Sequence, residues 1–411
     1  MVAKFDEKLF RQLPENIITD IIIPLLDPIT LYNEDGSKMV GHITDGKQHG
    51  FFQIYNNNGI LKRECNYQQG KLYGLCKEYY PDGNIQFKHV WREGKKHGLS
   101  KEYYPSGKIK YECVWQGGER HGPCKTYYPD GNIKYECVWY KDKKHGSSKT
   151  YHENGNIKYD YDYQEGKEHG TCKEYYPDGN LKYECIWQGG ERHGSCKTYY
   201  PDGNIKYDHV WREDKKHGPS KEYYPDGNLK YECIWQGGER HGPNKRYYEN
   251  GKIKSDYVWH ENKQHGPSKD YYPNGNLKYE CVLQEGERLG SCKTYYPDGN
   301  IRFKGSWHEG KRHGSNKTYH ENGNIKYDYV WHEGKKHGPC KDYYPDGNIE
   351  FDHHYKEGKA HGSCKAYYPD GNLKTEFNYH EGKKNGLSIY YNRDGTVSKK
   401  MNYTILDFTG R

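Results

Sequence analysis

Aliphatic residues are scarce in this chain of 411 residues: hydrophobic residues of every kind make up 32% of it, and the mean hydropathy is −1.30. No apolar run approaches the ~18 residues that a membrane-spanning helix needs, and so little Leu, Ile, Val and Phe makes a conventional enzyme core hard to build. Catalytic motifs are missing too. There is no Gly-rich phosphate loop after a strand, no nucleophile elbow and no helical His-Glu-x-x-His, which removes the common sequence marks of phosphoryl transfer, acyl transfer and zinc hydrolysis. No charged-apolar-small leader opens the chain, and 64 basic against 57 acidic residues leave a net charge of only +7, a mixed surface and not a nucleic-acid footprint. The expectation is a cytoplasmic, non-enzymatic protein without cofactor or metal and without a nucleic-acid partner. Its 13 cysteines, an odd number, fit a reduced compartment better than a disulfide framework.

What the chain has instead is 46 Tyr, 9 Trp and 49 Gly, and the glycines are periodic. Gly59, Gly83, Gly107, Gly131 and Gly155 begin a series that reaches Gly395 at a constant spacing of 24 residues. A second series on the same beat runs through Gly50, Gly74, Gly98, Gly122 and Gly146 to Gly386, usually preceded by His. A fixed period of this length is the mark of a repeat architecture, here about fifteen units.

In a typical unit, residues 121–144, Tyr128-Pro-Asp-Gly131 carries Pro at the second turn position and Gly at the fourth, which predicts a type I turn closed by a left-handed glycine. The flanking segments, 124–128 and 132–139, are rich in aromatic and β-branched residues and read as strands. Residues 140–146 read as the turn to the next hairpin. A three-residue loop sets Tyr127 opposite Ile133 and Lys125 opposite Tyr135. Alternation then gives one face Tyr127, Ile133, Tyr135, Cys137 and Trp139, and the other Thr126, Tyr128, Lys134, Glu136 and Val138. Comparing units places invariance on the first face: the Tyr127 column is Tyr from Tyr55 to Tyr391, while the Tyr128 column varies to Asn56, His152, His320 and Asn392.

The fold expected is therefore all-β: an elongated, single-layer antiparallel hairpin array over residues 29–403, with a contour of roughly 140 Å at ~4.8 Å per strand. Residues 1–28, with Leu13, Ile17, Ile18, Ile21 and Ile22 at helical spacing, predict a short N-terminal helix capping the first edge. Residues 404–411 form a tail. An uncovered edge near 396–403 would favour end-to-end homo-oligomers.

These residues resemble the MORN repeat, and more closely its 24-residue variant, like that of the YwqK-type proteins of bacteria and of many giant-virus proteins. The best match is the aromatic-x-Gly-x-Trp-x-x-Gly pattern of Phe303, Gly305, Trp307 and Gly310; most units have Cys113, Cys137, Tyr161, His209 or Phe377 where the family prefers Gly. The resemblance implies a non-catalytic scaffold or binding module for protein partners, with anionic lipid headgroups as a second ligand class and an antitoxin-like role as a third. The segment from Leu13 to Leu25 also resembles the opening helix of an F-box, which implies an adaptor role.

Four columns invite functional readings. Lysines at Lys77, Lys101, Lys125, Lys149, Lys173, Lys197 and Lys221, expected beside Tyr103 and Tyr127, form the candidate binding strip for phosphate-bearing ligands or an acidic partner. The acidic column Glu112, Glu136 and Asp160 is expected to lie in a charge lattice with Lys110, Lys134 and Lys158. Two cysteine columns, one through Cys113 and Cys137 and one through Cys124 and Cys172, accept Ser100, Ser148 and Asn244, and so read as small packing residues without metal or disulfide. The His-Gly histidines read as turn packing, being about 10 Å apart along the series. Tyr103, Gly107, Trp115, Gly122, Tyr127, Gly131, Trp139 and Gly146 are the structural repeat residues.

Overall fold

The computed structural model describes residues 28–403, which divide into two compact units meeting at Gly203 and Asn204. Among these residues all regular structure is β, and no helix is long and apolar enough to cross a membrane. The expected N-terminal helix, its F-box-like reading and the C-terminal tail lie outside the described residues.

In each unit, strands adjacent in the chain pair antiparallel, hairpin after hairpin. Glu119–Tyr127 pairs with Ile133–Tyr140, which pairs with Lys143–Tyr151. The Pro-Asp-Gly turn forms as expected: Gly131 donates its N–H to the Tyr128 carbonyl at 2.9 Å, Tyr128 donates to Asn132 at 2.8 Å, and Gly131 has φ +99°. Asp130 Oδ1 accepts the Asn132 N–H at 2.9 Å, a local bond that explains Asp at this turn position.

The other connection is shorter than the sequence implies. Tyr140 pairs with Lys143, so only Lys141 and Asp142 turn, both with positive φ (49° and 60°), as a type I′ hairpin requires. His145 and Gly146 lie inside a strand. Gly146, at φ +81°, sits where the register slips between Cys137–Ser148 and Trp139–Lys144. The two glycine series therefore have different tasks, the Gly131 series closing a turn and the Gly146 series making a bulge.

A second register slip corrects the expected faces. Tyr127 pairs with Ile133 as predicted, but Thr126 pairs with Tyr135 and Lys125 with Glu136, because Lys134 is the extra residue of a bulge. One skipped residue reverses every assignment on one side of it. Tyr127 and Ile133 thus belong with Lys125, Glu136 and Val138, and the opposite face carries Thr126, Cys124, Tyr135, Cys137 and Trp139. The invariant tyrosine is on the charged face.

Hairpins are also tied across the repeat. The Tyr104 hydroxyl donates to the Tyr127 carbonyl at 2.8 Å, and Tyr80, Tyr128 and Tyr176 do the same 23 residues on. The replacements His152 and His320 keep that contact, at 3.4 and 3.2 Å. Asn156 and Asn180 add a second tie, from their side-chain amides to Pro177 and Pro201 carbonyls.

Candidate functional site

The charged face is a ladder. From Lys101 the register runs Glu112, Lys125, Glu136, Lys149, Asp160, Lys173, Glu184 and Lys197, each directly opposite the next. Ion pairs close at 3.2 Å for Lys101–Glu112 and Lys125–Glu136, and at 3.5 Å for Lys149–Asp160. The acids thus pair with the candidate lysine strip and not with Lys110, Lys134 and Lys158 as expected; the bulge at Lys134 moves that column to the other face. Lys77 reaches Glu64 at 3.7 Å, and Lys221 stands opposite Asp208 and Glu232.

The invariant tyrosines complete this lattice. Tyr127 donates to Glu112 at 2.6 Å, Tyr151 to Glu136 at 2.5 Å and Tyr199 to Glu184 at 2.6 Å. The Tyr151 hydrogen bond holds the Glu136 carboxyl below its usual value, with Lys125 assisting against burial. Conversely, burial and the bond to Glu112 push the Tyr127 phenol up to about 12. Each carboxylate therefore serves two donors, and the strip's positive charge is largely compensated.

Two interruptions stand out. Lys88 replaces the acid between Lys77 and Lys101, and Lys304 replaces it between Lys293 and Lys317, so three lysines are cross-strand neighbours at each place. The flanking lysines turn outward, Lys101 to Glu112 at 3.2 Å and Lys293 to Glu280 at 2.9 Å. Beside the ladder runs an exposed apolar row. In the first unit it includes Leu99, Val138 and Ile186 (39–43% exposed), and in the second Ile234 and Val282 (40–44%).

The opposite face is built from cysteine, tyrosine and tryptophan. Cys113, Cys124 and Cys137 are buried side by side with Tyr111, Trp115, Tyr135 and Trp139 packed on them. The two cysteine columns face each other across adjacent hairpins, so that Cys65 and Cys76, Cys113 and Cys124, Cys185 and Cys196, and Cys281 and Cys292 stand as directly opposed buried pairs at Cα separations of 4.0–4.3 Å. The other five cysteines are also buried. At His89 and His209, which take cysteine positions, burial and then a neighbouring lysine lower the imidazole pKa to about 4.

Sequence reading missed the cations of this face. Lys96 lies 5.1 Å from the Trp115 ring and 6.0 Å from Trp91, Arg120 3.5 Å from Trp139, and Arg240 5.1 Å from Trp259 and 5.6 Å from Trp235. These are cation–π contacts of about 0.5–1 kcal/mol each at exposed sites, wedged between successive indoles. A second missed signal is a covariation between units. Tyr161, Tyr257 and Tyr329, which stand in the cysteine column, donate to Glu174, Asp270 and Asp342, always 13 residues on. Of the six cysteines in that column, Cys113, Cys137, Cys185 and Cys281 have Thr126, Thr150, Thr198 and Thr294 at that offset, while Cys65 has Glu78 and Cys233 has Arg246. Comparing columns in pairs would have exposed it.

At the turn edge, histidines of the His-Gly series interleave with those of another column, so rings that were expected ~10 Å apart have nearer neighbours: His308–His313 at 5.9 Å, His313–His332 at 5.1 Å and His332–His337 at 5.8 Å. Among the described residues no group of three or more His, Cys, Asp or Glu is arranged to hold a metal ion.

A bulged hairpin ladder with one charged face and one aromatic face defines a β-repeat protein. Thirteen segments between residues 48 and 381 match the MORN repeat variant, and residues 183–205 match the MORN repeat itself, so the chain belongs to the MORN-repeat family. Comparison with curated proteins gives no match. Among solved structures, the crystal structure of TcdB2-TccC3 aligns over 88% of this chain and 27% of its own length at 11% identity with a TM-score of 0.15. The Tc holotoxin pore of Photorhabdus luminescens aligns over 89% and 25% at 12% identity with a TM-score of 0.16. This chain spans about a quarter of their length.

Proposed function

We propose that this protein is a non-catalytic scaffold that binds protein partners in the cytoplasm through its charged face. The observation that carries the reading is the row of Leu99, Val138 and Ile186, and of Ile234 and Val282 in the second unit, left exposed beside a compensated ladder. An apolar strip flanked by polar residues that are already paired is what a protein interface uses, since its desolvation costs little and its complementarity is set by fixed charges. Affinity purification tests it: Leu99→Ser, Val138→Ser and Ile186→Ser together should release the partners that the wild-type chain retains, and an unchanged partner set would sink the reading.

A second reading, peripheral binding of anionic lipid headgroups through the lysine strip, draws its support from the two interruptions at Lys88 and Lys304, where the positive charge is not balanced. Flotation with phosphoinositide vesicles at physiological salt decides it, with Lys88→Glu and Lys304→Glu expected to abolish recovery. An adaptor or antitoxin-like role is a narrower form of the first reading, tested by comparing partner lists with and without residues 1–28.

A further inference from the structure

One cleft on the aromatic face of the second unit differs from its neighbours. It encloses about 390 Å³ and is lined by Lys278, Arg288, Arg302 and Arg312 together with Phe303 and Trp307. Arg288 and Arg312 stand at successive positions of the cation column and Arg302 lies between them in sequence; nowhere else does the chain place three arginines within 25 residues. Their guanidinium groups lean on rings, Arg288 at 5.4 Å from Trp307 and Arg312 at 5.6 Å from Phe303 and 4.8 Å from Trp331. None of the four cations forms an ion pair among the described residues.

The reason lies in the covariation along this face. Cys281 and Gly305 are followed 13 residues later by Thr294 and Thr318, so this stretch has no carboxylate at the positions that carry one after a tyrosine. The nearest acid of that column, Asp270, already accepts from Tyr257. In the equivalent cleft 48 residues earlier, about 350 Å³, Glu222, the counterpart of Asp270, lines the space and binds Lys230 at 2.8 Å, whereas Asp270 is held by Tyr257 and does not line this one. Four cations around one concave space without a counter-charge create a positive potential focused by apolar walls. Guanidinium forks match phosphate oxygens in pairs, and their hold on aromatic faces fixes them in place without neutralising them.

We propose that this cleft binds an aromatic phosphate monoester, its phosphate held by Arg288, Arg302 and Arg312 and its ring laid along the Phe303 and Trp307 wall. The site is independent of the charged face and does not rest on the scaffold reading.

Phenyl phosphate is the minimal probe, followed by the tryptophan fluorescence of the protein and by calorimetry on the full chain. Saturable binding of one equivalent is expected, with inorganic phosphate, which loses the stacking, and phenol, which loses the contacts to all three arginines, each weaker by about tenfold or more. Arg302→Gln, an exposed position that should not disturb folding, should weaken binding by about tenfold or more. Thr294→Glu places a carboxylate in the lining of the cleft and should abolish binding, while Arg240→Gln, in the earlier cleft, should leave it unchanged. Adenosine 5′-monophosphate and O-phosphotyrosine distinguish a nucleotide from a phosphorylated side chain as the source; saturation by either supports the site. Absence of saturable binding for every probe, or binding that Arg302→Gln and Thr294→Glu leave intact, overturns the proposal.

Discussion

At the residue scale this protein is governed by pairs, and the exceptions are as informative as the rule. Lys88 sits between Lys77 and Lys101 where every consideration of cross-strand charge favours an acid. It also deprives Tyr103 of the carboxylate that Tyr127 and Tyr151 find 15 residues back. Lys88→Glu should therefore stabilise the chain by about 0.5–1 kcal/mol, the scale of a cross-strand pair, in urea unfolding followed by circular dichroism. A destabilised variant would show that the ladder is not the stabilising lattice described above. The Tyr329–Asp342 bond, at 2.6 Å, makes the same argument on the other face. Tyr329→Phe leaves a half-buried carboxylate without its donor, and Asp342→Thr recreates the combination found beside cysteine. A double-mutant cycle should give a coupling of about 0.5–2 kcal/mol, and a coupling near zero would make the covariation an accident of repeat descent.

At the scale of the hairpin, the sequence disclosed the period, the strands and the Pro-Asp-Gly turn, because each depends on local residue chemistry. It did not disclose the faces. Whether Lys134 keeps step or bulges out is decided by which hydrogen bonds the partner strand offers, and counting by twos through one extra residue put Tyr127 and Lys134 on the wrong sides. The candidate strip was found as a column of lysines but its neutralisation was not, since Lys125 meets Glu136 only in the slipped register. The Arg and Lys wedges between indoles stayed hidden for a related reason: Arg120, which packs on Trp139, lies in a strand at the position equivalent to Lys144, inside the stretch that the sequence reads as a turn. The type I′ turns carry their own prediction. Glu165 is held at φ +51° ahead of Gly166, a conformation that a non-glycine residue other than Asn or Asp tolerates poorly. Glu165→Asn should stabilise by about 0.5–1 kcal/mol and raise the melting temperature, because Asn-Gly is the preferred pair for this turn. An unchanged or lower melting temperature would mean that the glutamate side chain makes up for its backbone.

For the whole molecule, the consequence of replacing aliphatic residues by tyrosine is a core that can ionise. Burial first, then hydrogen bonds to Glu64, Glu112 and Glu136, push the phenols of Tyr79, Tyr127 and Tyr151 up to about 12. Burial likewise raises Tyr161 and Tyr329 on the aromatic face. A phenol with a raised folded-state pKa holds its proton more tightly folded than unfolded, so its contribution is complete below the unfolded value near 10 and is lost as pH climbs from 10 through about 12. Because the same pair recurs from hairpin to hairpin, ionisation of one phenol beside its carboxylate adds charge to a lattice already balanced, and neighbours lose support together. The expected outcome is a cooperative alkaline transition: phenolate absorbance at 295 nm should rise in the same narrow interval above pH 10 in which the β signal disappears. Glu136→Gln, which removes the charge facing Tyr151, should lower that phenol's pKa while weakening the hairpin at neutral pH. Smooth titration of all tyrosines near pH 10 with the β signal intact would show instead that the hydroxyls are solvated and that the ladder bonds do not hold the sheet.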